Sequence, residues 1–365
     1  MIRLVAAALA DLAAALLPAR LGHWGDAMRR ETAEIAQPGE AFRFALGCLW
    51  GALGEALRVQ IGEGGMTARR LVGLCAIGAT GLGIGYMVIG GAPLGYPLRN
   101  LAALAIGFLA VGIVTHVPRM RWLSVGPVVL ALGLLLLASD LVGVTNQGAT
   151  RWVSIGGLSI QPSLILMPVL AIGFANARDW TGGLGVVAAA VALALQPDRA
   201  MAGALAAGLG VLALVRPERC VLVVLAAAVA GFVATMLQSD IQPAMPYVDQ
   251  ILFTAFGVHL LAGLMVLAGS ALLLVPALAG WRRHPGYLVF GGVWLAIVLA
   301  AVLGNYPTPL VGYGGSAIVG YLLCVVGLPG ATAARDPAIE RKRADPAART
   351  DLQRNWGQSG SFLQL

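Results

Sequence analysis

The sequence predicts an all-α fold, a polytopic membrane helix bundle of about ten transmembrane helices with both termini cytoplasmic. Composition, apolar run length and the placement of arginine predict it. Of 365 residues, 59% are hydrophobic and 11% charged, with a mean hydropathy of +0.84; soluble domains run near half apolar and a quarter charged. Aromatics are only 7%, so the apolar mass is Ala, Leu, Val and 49 glycines, a mixture that lets helices pack closely in lipid.

Ten apolar runs are long enough, or nearly so, to cross about 30 Å of hydrocarbon. They cover roughly 70–90, 97–117, 122–139, 158–176, 181–196, 201–215, 219–237, 251–279, 286–304 and 312–329. The fifth and sixth are short and meet at Gln196-Pro197-Asp198, as a helical hairpin turning near the far surface would. Counted from an inside N-terminus, the inside loops hold Arg69, Arg70, Arg119, Arg121, Arg178, Arg216, Arg219, Arg282 and Arg283. The outside loops hold Arg99, Arg151 and Arg199. That asymmetry is the positive-inside pattern.

Residues 1–65 differ in kind and are expected to form a cytoplasmic or interfacial helical appendage to a membrane domain at 66–330. Met1–Leu17 is Ala/Leu-rich with Asp11, Trp24–Glu34 is charged, and Ala41–Val59 is apolar but carries Arg43, Glu55 and Arg58. Ala41–Val59 is expected to lie in the interface, an eleventh span being the alternative. Arg3 ahead of an apolar run has the order of a signal peptide, yet no small-residue cleavage site follows. Residues 331–365, rich in Ala, Arg, Asp, Pro and Gln, are expected to be a disordered cytoplasmic tail.

The net charge of +7 falls on no foldable basic surface, so no nucleic acid is expected as a partner. Cys48, Cys75, Cys220 and Cys324 are scattered inside apolar runs with no CxxC spacing. They read as small buried hydrophobes rather than a disulfide or metal site.

Polar residues at a membrane edge mark a functional site by default, and here they gather on the outside. They lie in 146–152 with Gln161-Pro162-Ser163, in Gln196–Arg199, in 240–249, and in 305–309 leading to Gly312–Ser316. The segment 146–163, NQGATRWVSIGGLSIQPS, resembles the NGARRW…QPSE segment of the SEDS proteins, the RodA, FtsW and SpoVE group. LQPD at 195–198 is similar to their QPDLGT, and PYVDQILFTAFGVHLLAG at 246–263 to their PExHTDFIFAxxGEELGxxG. PTPLVGYGGSAIVGYLLCVVGL at 307–328 resembles their PLPFVSYGGSS…GL. The four segments occur in the family's order.

The resemblance implies a multi-pass protein of the bacterial inner (cytoplasmic) membrane, a glycosyltransferase polymerising lipid II at the outer face beside a class B penicillin-binding transpeptidase. Such chemistry needs a carboxylate to deprotonate an acceptor hydroxyl. It also needs positive charge, from Arg or a divalent cation, on the departing lipid pyrophosphate. The catalytic residue it implies is Asp249. Substrate-binding residues are expected at Arg151, which suits a phosphate, and at Asn146, Gln161, Ser163, Asp198, Tyr313 and Ser316. No metal ligand is expected, a divalent cation entering only through the resemblance.

The chain departs from the pattern at Leu164 and Met167, where the family has Glu and Lys. Gly257-Val258-His259 replaces GEE, and the outer loop ahead of Asp249 is short. Residues therefore keep two readings. Asp249 and Asp198 each precede an apolar helix, as N-caps do, and Asp198 has a structural role open to it in pairing with Arg199 or Arg151. His259 reads as a satisfied core histidine, and Tyr313–Ser316 as a close-packing helix start, without the Lys or strand of a P-loop. Three functions stay open: an active polymerase, a non-catalytic scaffold or regulator of division or elongation, and a transporter of lipid-linked precursors.

Overall fold

The computed structural model describes residues 2–17, 21–62, 68–116, 125–142, 144–146, 149–155, 158–238, 243–281 and 284–328. Three helices come first, α1 (Ile2–Leu16), α2 (Gly22–Glu34) and α3 (Pro38–Gly62). They pack on one another around buried Ala6, Ala10, Ala41 and Ala45. Arg29 bridges Asp11 at 2.9 Å and Asp26 at 3.2 Å, and Arg3 donates to the carbonyls of Ile35 and Ala36. The expected tail lies outside the described residues.

The bundle follows with α4 (Ala68–Ile89), α5 (Gly95–His116), α6 (Gly126–Val142), α7 (Pro162–Ala177), α8 (Trp180–Leu195), α9 (Arg199–Val215) and α10 (Arg219–Met236). It closes with α11 (Ile251–Val258), α12 (Leu260–Leu272), α13 (Val275–Gly280), α14 (Pro285–Leu303) and α15 (Gly315–Gly327). Among the described residues, five helical stretches are long and apolar enough to cross a membrane: Arg70–Ile89, Gly95–Thr115, Arg219–Met236, Leu260–Gly280 and Pro285–Leu303. Shorter apolar helices of the bundle are Gly126–Leu141, Pro162–Ala177, Trp180–Leu195, Arg199–Val215 and Gly315–Gly327. The chain is a polytopic membrane helix bundle.

The helix starts are written locally. Asp179 accepts the Gly182 N–H at 2.6 Å ahead of α8, and proline opens α7 and α14, where its missing N–H costs nothing. The core centres on Trp294 and Phe290 of α14, Tyr321 of α15 and Phe174 of α7, all fully buried. Between α6 and α8 the backbones touch. A Cβ at Gly133 would lie 2.0 Å from the Gly185 carbonyl oxygen, and one at Gly185 would lie 2.4 Å from that of Val129. Only glycine permits that approach.

Two runs differ from expectation. Residues 158–160 are not helical but form β3 of an antiparallel sheet, β1 (Val144–Asn146), β2 (Ala149–Ile155) and β3 (Leu158–Ile160). Ile155 pairs with Leu158, and the sequence Gly156-Gly157 between them is a two-residue hairpin signal after the β-branched Val153 and Ile155. The run 251–279 is broken at His259, which is extended (φ −165°, ψ 143°) and exposed. Its Nδ1 accepts the Leu261 N–H at 3.1 Å, so the expected core histidine is instead the N-cap of α12. A Cβ at Gly263 would fall 2.3 Å from the Phe256 ring; the missing side chain is what lets α11 fold against α12.

Candidate functional site

The polar loops of one end of the bundle bind one another, and residues 305–316 are the common partner. Toward the sheet, the buried amide of Gln161 donates to Ser163 Oγ at 3.2 Å and to Asp198 Oδ2 at 3.0 Å. Ser163 Oγ donates to the same oxygen at 2.9 Å. Asp198, 1% exposed, also takes the Met201 N–H at 3.3 Å on Oδ1, capping α9. Ser316 accepts the Gln161 backbone N–H at 2.9 Å, joining α15 to this network. Arg151 on β2 is 4% exposed, donates to the Pro197 carbonyl, and stands 6.0 Å from the centre of the Tyr306 ring.

Beyond Tyr306, Pro307 pairs with Asp249 in an isolated antiparallel bridge, and the Thr308 N–H donates to the Val248 carbonyl at 3.0 Å. Gln250 reaches Asn305 at 2.6 Å. Asp249 is 9% exposed and accepts the Met245 N–H at 2.8 Å. Burial pushes its carboxyl above the ordinary carboxylate range, against the smaller downward pull of that Met245 bond. A carboxylate so raised is the stronger base once ionised.

Tyr313 is held from three sides. Its N–H donates to the Tyr247 carbonyl at 2.7 Å, and its ring stacks on Tyr96 at 3.9 Å and 9°. Its hydroxyl accepts from Arg99. Asn100, fully buried, brackets it: the amide donates to the Gly312 carbonyl at 2.8 Å and accepts the Gly314 N–H at 3.1 Å.

Thus Arg151, Gln161, Ser163, Asp198 and Ser316 come together around the sheet, Asp249 and Tyr313 stand on two neighbouring loops that pair with each other, and 305–316 joins the two groups. Asn146 ends β1, its side chain outside the described residues. Sequence reasoning missed Tyr96 and Asn100 and the contact of Gln196 with Asp140, and it placed Tyr247 and Tyr306 in the polar loops without singling them out. For Asn100, a polar residue inside an apolar run was the available signal.

The comparisons bear on the fold. The family model described as cell cycle protein, for FtsW, RodA and SpoVE, matches residues 86–256. No match was found among curated proteins. The fold is similar to the crystal structure of Rod shape determining protein RodA from Thermus thermophilus, at 20% identity and a TM-score of 0.51, covering 75% of this chain and 97% of that one. An aspartate-to-alanine mutant of that RodA matches equally. A structure titled for coordination of polymerization and crosslinking by a peptidoglycan synthase complex matches at 21% identity and a TM-score of 0.50, covering 70% and 94%. The class is therefore a multi-pass bacterial membrane protein. Within it, residues 86–256 resemble the SEDS family, the FtsW/RodA/SpoVE group.

Proposed function

We propose that the protein is a peptidoglycan glycosyltransferase that polymerises lipid II at the outer face of the membrane, with Asp249 as base. The observation that carries this is Asp249 itself, a buried carboxyl with a raised affinity for its proton, bridged to the turn that leads into the YGGS segment. In the reaction the Asp249 carboxylate takes the proton of an acceptor sugar hydroxyl. The freed oxygen attacks the anomeric carbon of the donor, and the bond from that carbon to the lipid pyrophosphate breaks, the pyrophosphate leaving with the electron pair. Arg151 and Tyr306, with the Gln161–Ser163–Asp198 network, form the wall beside this loop. A class B penicillin-binding transpeptidase is the partner proposed, since the matching synthase complex couples polymerization to crosslinking.

The family resemblance also implies a divalent cation. Among the described residues, no three His, Cys, Asp or Glu side chains converge so as to hold one. No step is routed through a metal.

A second reading, a non-catalytic scaffold, draws on a specific observation. Met167 is fully buried and Leu164 nearly so, both in the apolar core, at the positions where the family carries Lys and Glu. Polymerisation of labelled lipid II by the purified protein, alone and with its transpeptidase, decides between them. Glycan strands that vanish in Asp249→Ala support the enzyme. Strands that persist move the base elsewhere, and no strands from folded wild type leave the scaffold.

A further inference from the structure

Polymerisation needs positive charge on the departing pyrophosphate, and three arginines stand at this end of the bundle. Two are committed to the protein itself. Arg151 is buried against the Pro197 carbonyl. Arg199 donates to the Thr235 carbonyl at 3.0 Å and to that of Gln238, tying α9 to the end of α10.

Arg99 differs from both. It is exposed in the first turns of α5, where Nη1 donates to the Tyr313 hydroxyl and the guanidinium carbon lies 5.9 Å from the centre of the Tyr313 ring. That ring cannot drift. It is stacked on Tyr96, and the backbone around it is pinned by Asn100 and by the Tyr247 carbonyl. Tyr247 in turn stands two residues before Asp249, and its hydroxyl is fixed on the Gly90 carbonyl at 2.6 Å. The long arginine stem is thus ordered before any ligand arrives, which removes part of the entropy cost of binding. One donor is spent on Tyr313, while a guanidinium carries five in a planar fork matched to phosphate oxygens.

The surroundings indicate which kind of phosphate. Leu94, Leu98 and Leu101, the apolar neighbours of Arg99 along the chain, are 74%, 55% and 53% exposed, as lipid-facing side chains are. An anion received by Arg99 therefore lies at the edge of the hydrocarbon, where a lipid-linked pyrophosphate is anchored by its own tail.

We infer that Arg99, oriented by Tyr313, is the anion-binding residue of this site and takes the pyrophosphate of the lipid-linked substrate, while Arg151 braces the wall. This rests on the polymerase reading. An ordinary anionic phospholipid headgroup offers the same chemistry, so the test must separate the two sources.

The full-length protein in phosphatidylcholine nanodiscs is titrated with undecaprenyl pyrophosphate, for wild type, Arg99→Gln, Arg99→Lys and Tyr313→Phe. Unfolding midpoints confirm that each variant is folded, and lipid II polymerisation is followed in parallel. Removing one charged contact is expected to weaken binding by about tenfold or more. Arg99→Gln should show that loss with a matching rise in KM for lipid II, and the other two variants should fall between. Equal binding by Arg99→Gln overturns the inference, and so does displacement by phosphatidylglycerol at equal concentration, which would mark a headgroup contact. If Arg99→Gln polymerises with unchanged KM, Arg99 is wrong and the polymerase stands. Wild type that neither binds nor polymerises removes both.

Discussion

Replacing Asp198 with alanine asks whether the carboxylate of the QPD segment serves the substrate or the scaffold. In the structure it accepts from Gln161, Ser163 and the Met201 N–H while 1% exposed. Alanine strands two buried donors, at about 1–3 kcal/mol each, and removes an N-cap worth about 1 kcal/mol. Gln161 and Ser163 already lie 3.2 Å apart and recover part of this by pairing. The expected net loss is about 3–5 kcal/mol. Asp198→Asn keeps one acceptor but sets an NH2 against the Gln161 NH2, and should lose about 2 kcal/mol. Ser163→Ala should lose about 1 kcal/mol. Because Ser163→Ala removes one of the stranded donors, the double variant should be less destabilised than the sum of the singles. Equilibrium unfolding in a neutral detergent titrated with dodecyl sulfate, followed by tryptophan fluorescence, measures all four. Asp198→Ala unfolding at the wild-type midpoint while losing polymerisation would refute the argument and give the carboxylate to the substrate.

Other expectations are as direct. Asp249→Asn should abolish polymerisation. In wild type, activity should fall as pH drops through a value above the ordinary carboxylate range, because the base works ionised and burial raises its affinity for the proton; initial rates between about pH 4 and pH 8 locate that limb. The same shift means the folded state holds this proton more tightly than the unfolded chain, so this residue's contribution to stability grows as pH falls through that range. Gly133→Ala should cost at least about 1–3 kcal/mol by overpacking α6 on α8, whereas Gly210→Ala, with nothing within 4 Å of the added carbon, should be neutral or gain up to about 1 kcal/mol; unfolding midpoints distinguish them. Asn100→Ala should lose about 2–4 kcal/mol, both amide groups being bonded and buried. Arg29→Ala, by contrast, removes exposed ion pairs and should change stability by less than about 1 kcal/mol on the same scale.

The helices were legible because an apolar run bounded by Pro, Asp or paired arginines has little else to become in lipid. What escaped were the places where period and length mislead. Leu158–Ile160 is apolar enough to extend a span, but Gly156-Gly157 and the β-branched residues before it are what decide the local chain. Val258-His259 looks continuous with its neighbours, and only the glycines on either side hint that the helix can break. Asp198 was readable both as a cap and as a substrate ligand, and it does cap α9; its bonds to Gln161 and Ser163 depend on folding that no local pattern encodes. The cradle of Tyr313 was less visible still. Asn100 and its partner Gly312 are separated by 212 positions, and nothing near Asn100 announces what it meets.

That separation has a consequence in time. At a synthesis rate of about 5–20 residues per second, the interval of 212 residues lasts roughly 10–40 s. Throughout it, α5 has been made and the turn that satisfies its asparagine has not. The half-built bundle must keep a polar amide wet, or lend it to another helix, until the last pair of helices arrives. This site is accordingly among the last parts of the bundle to assemble, and chains terminated before residue 305 should be unable to bury Asn100 and should be cleared as incomplete.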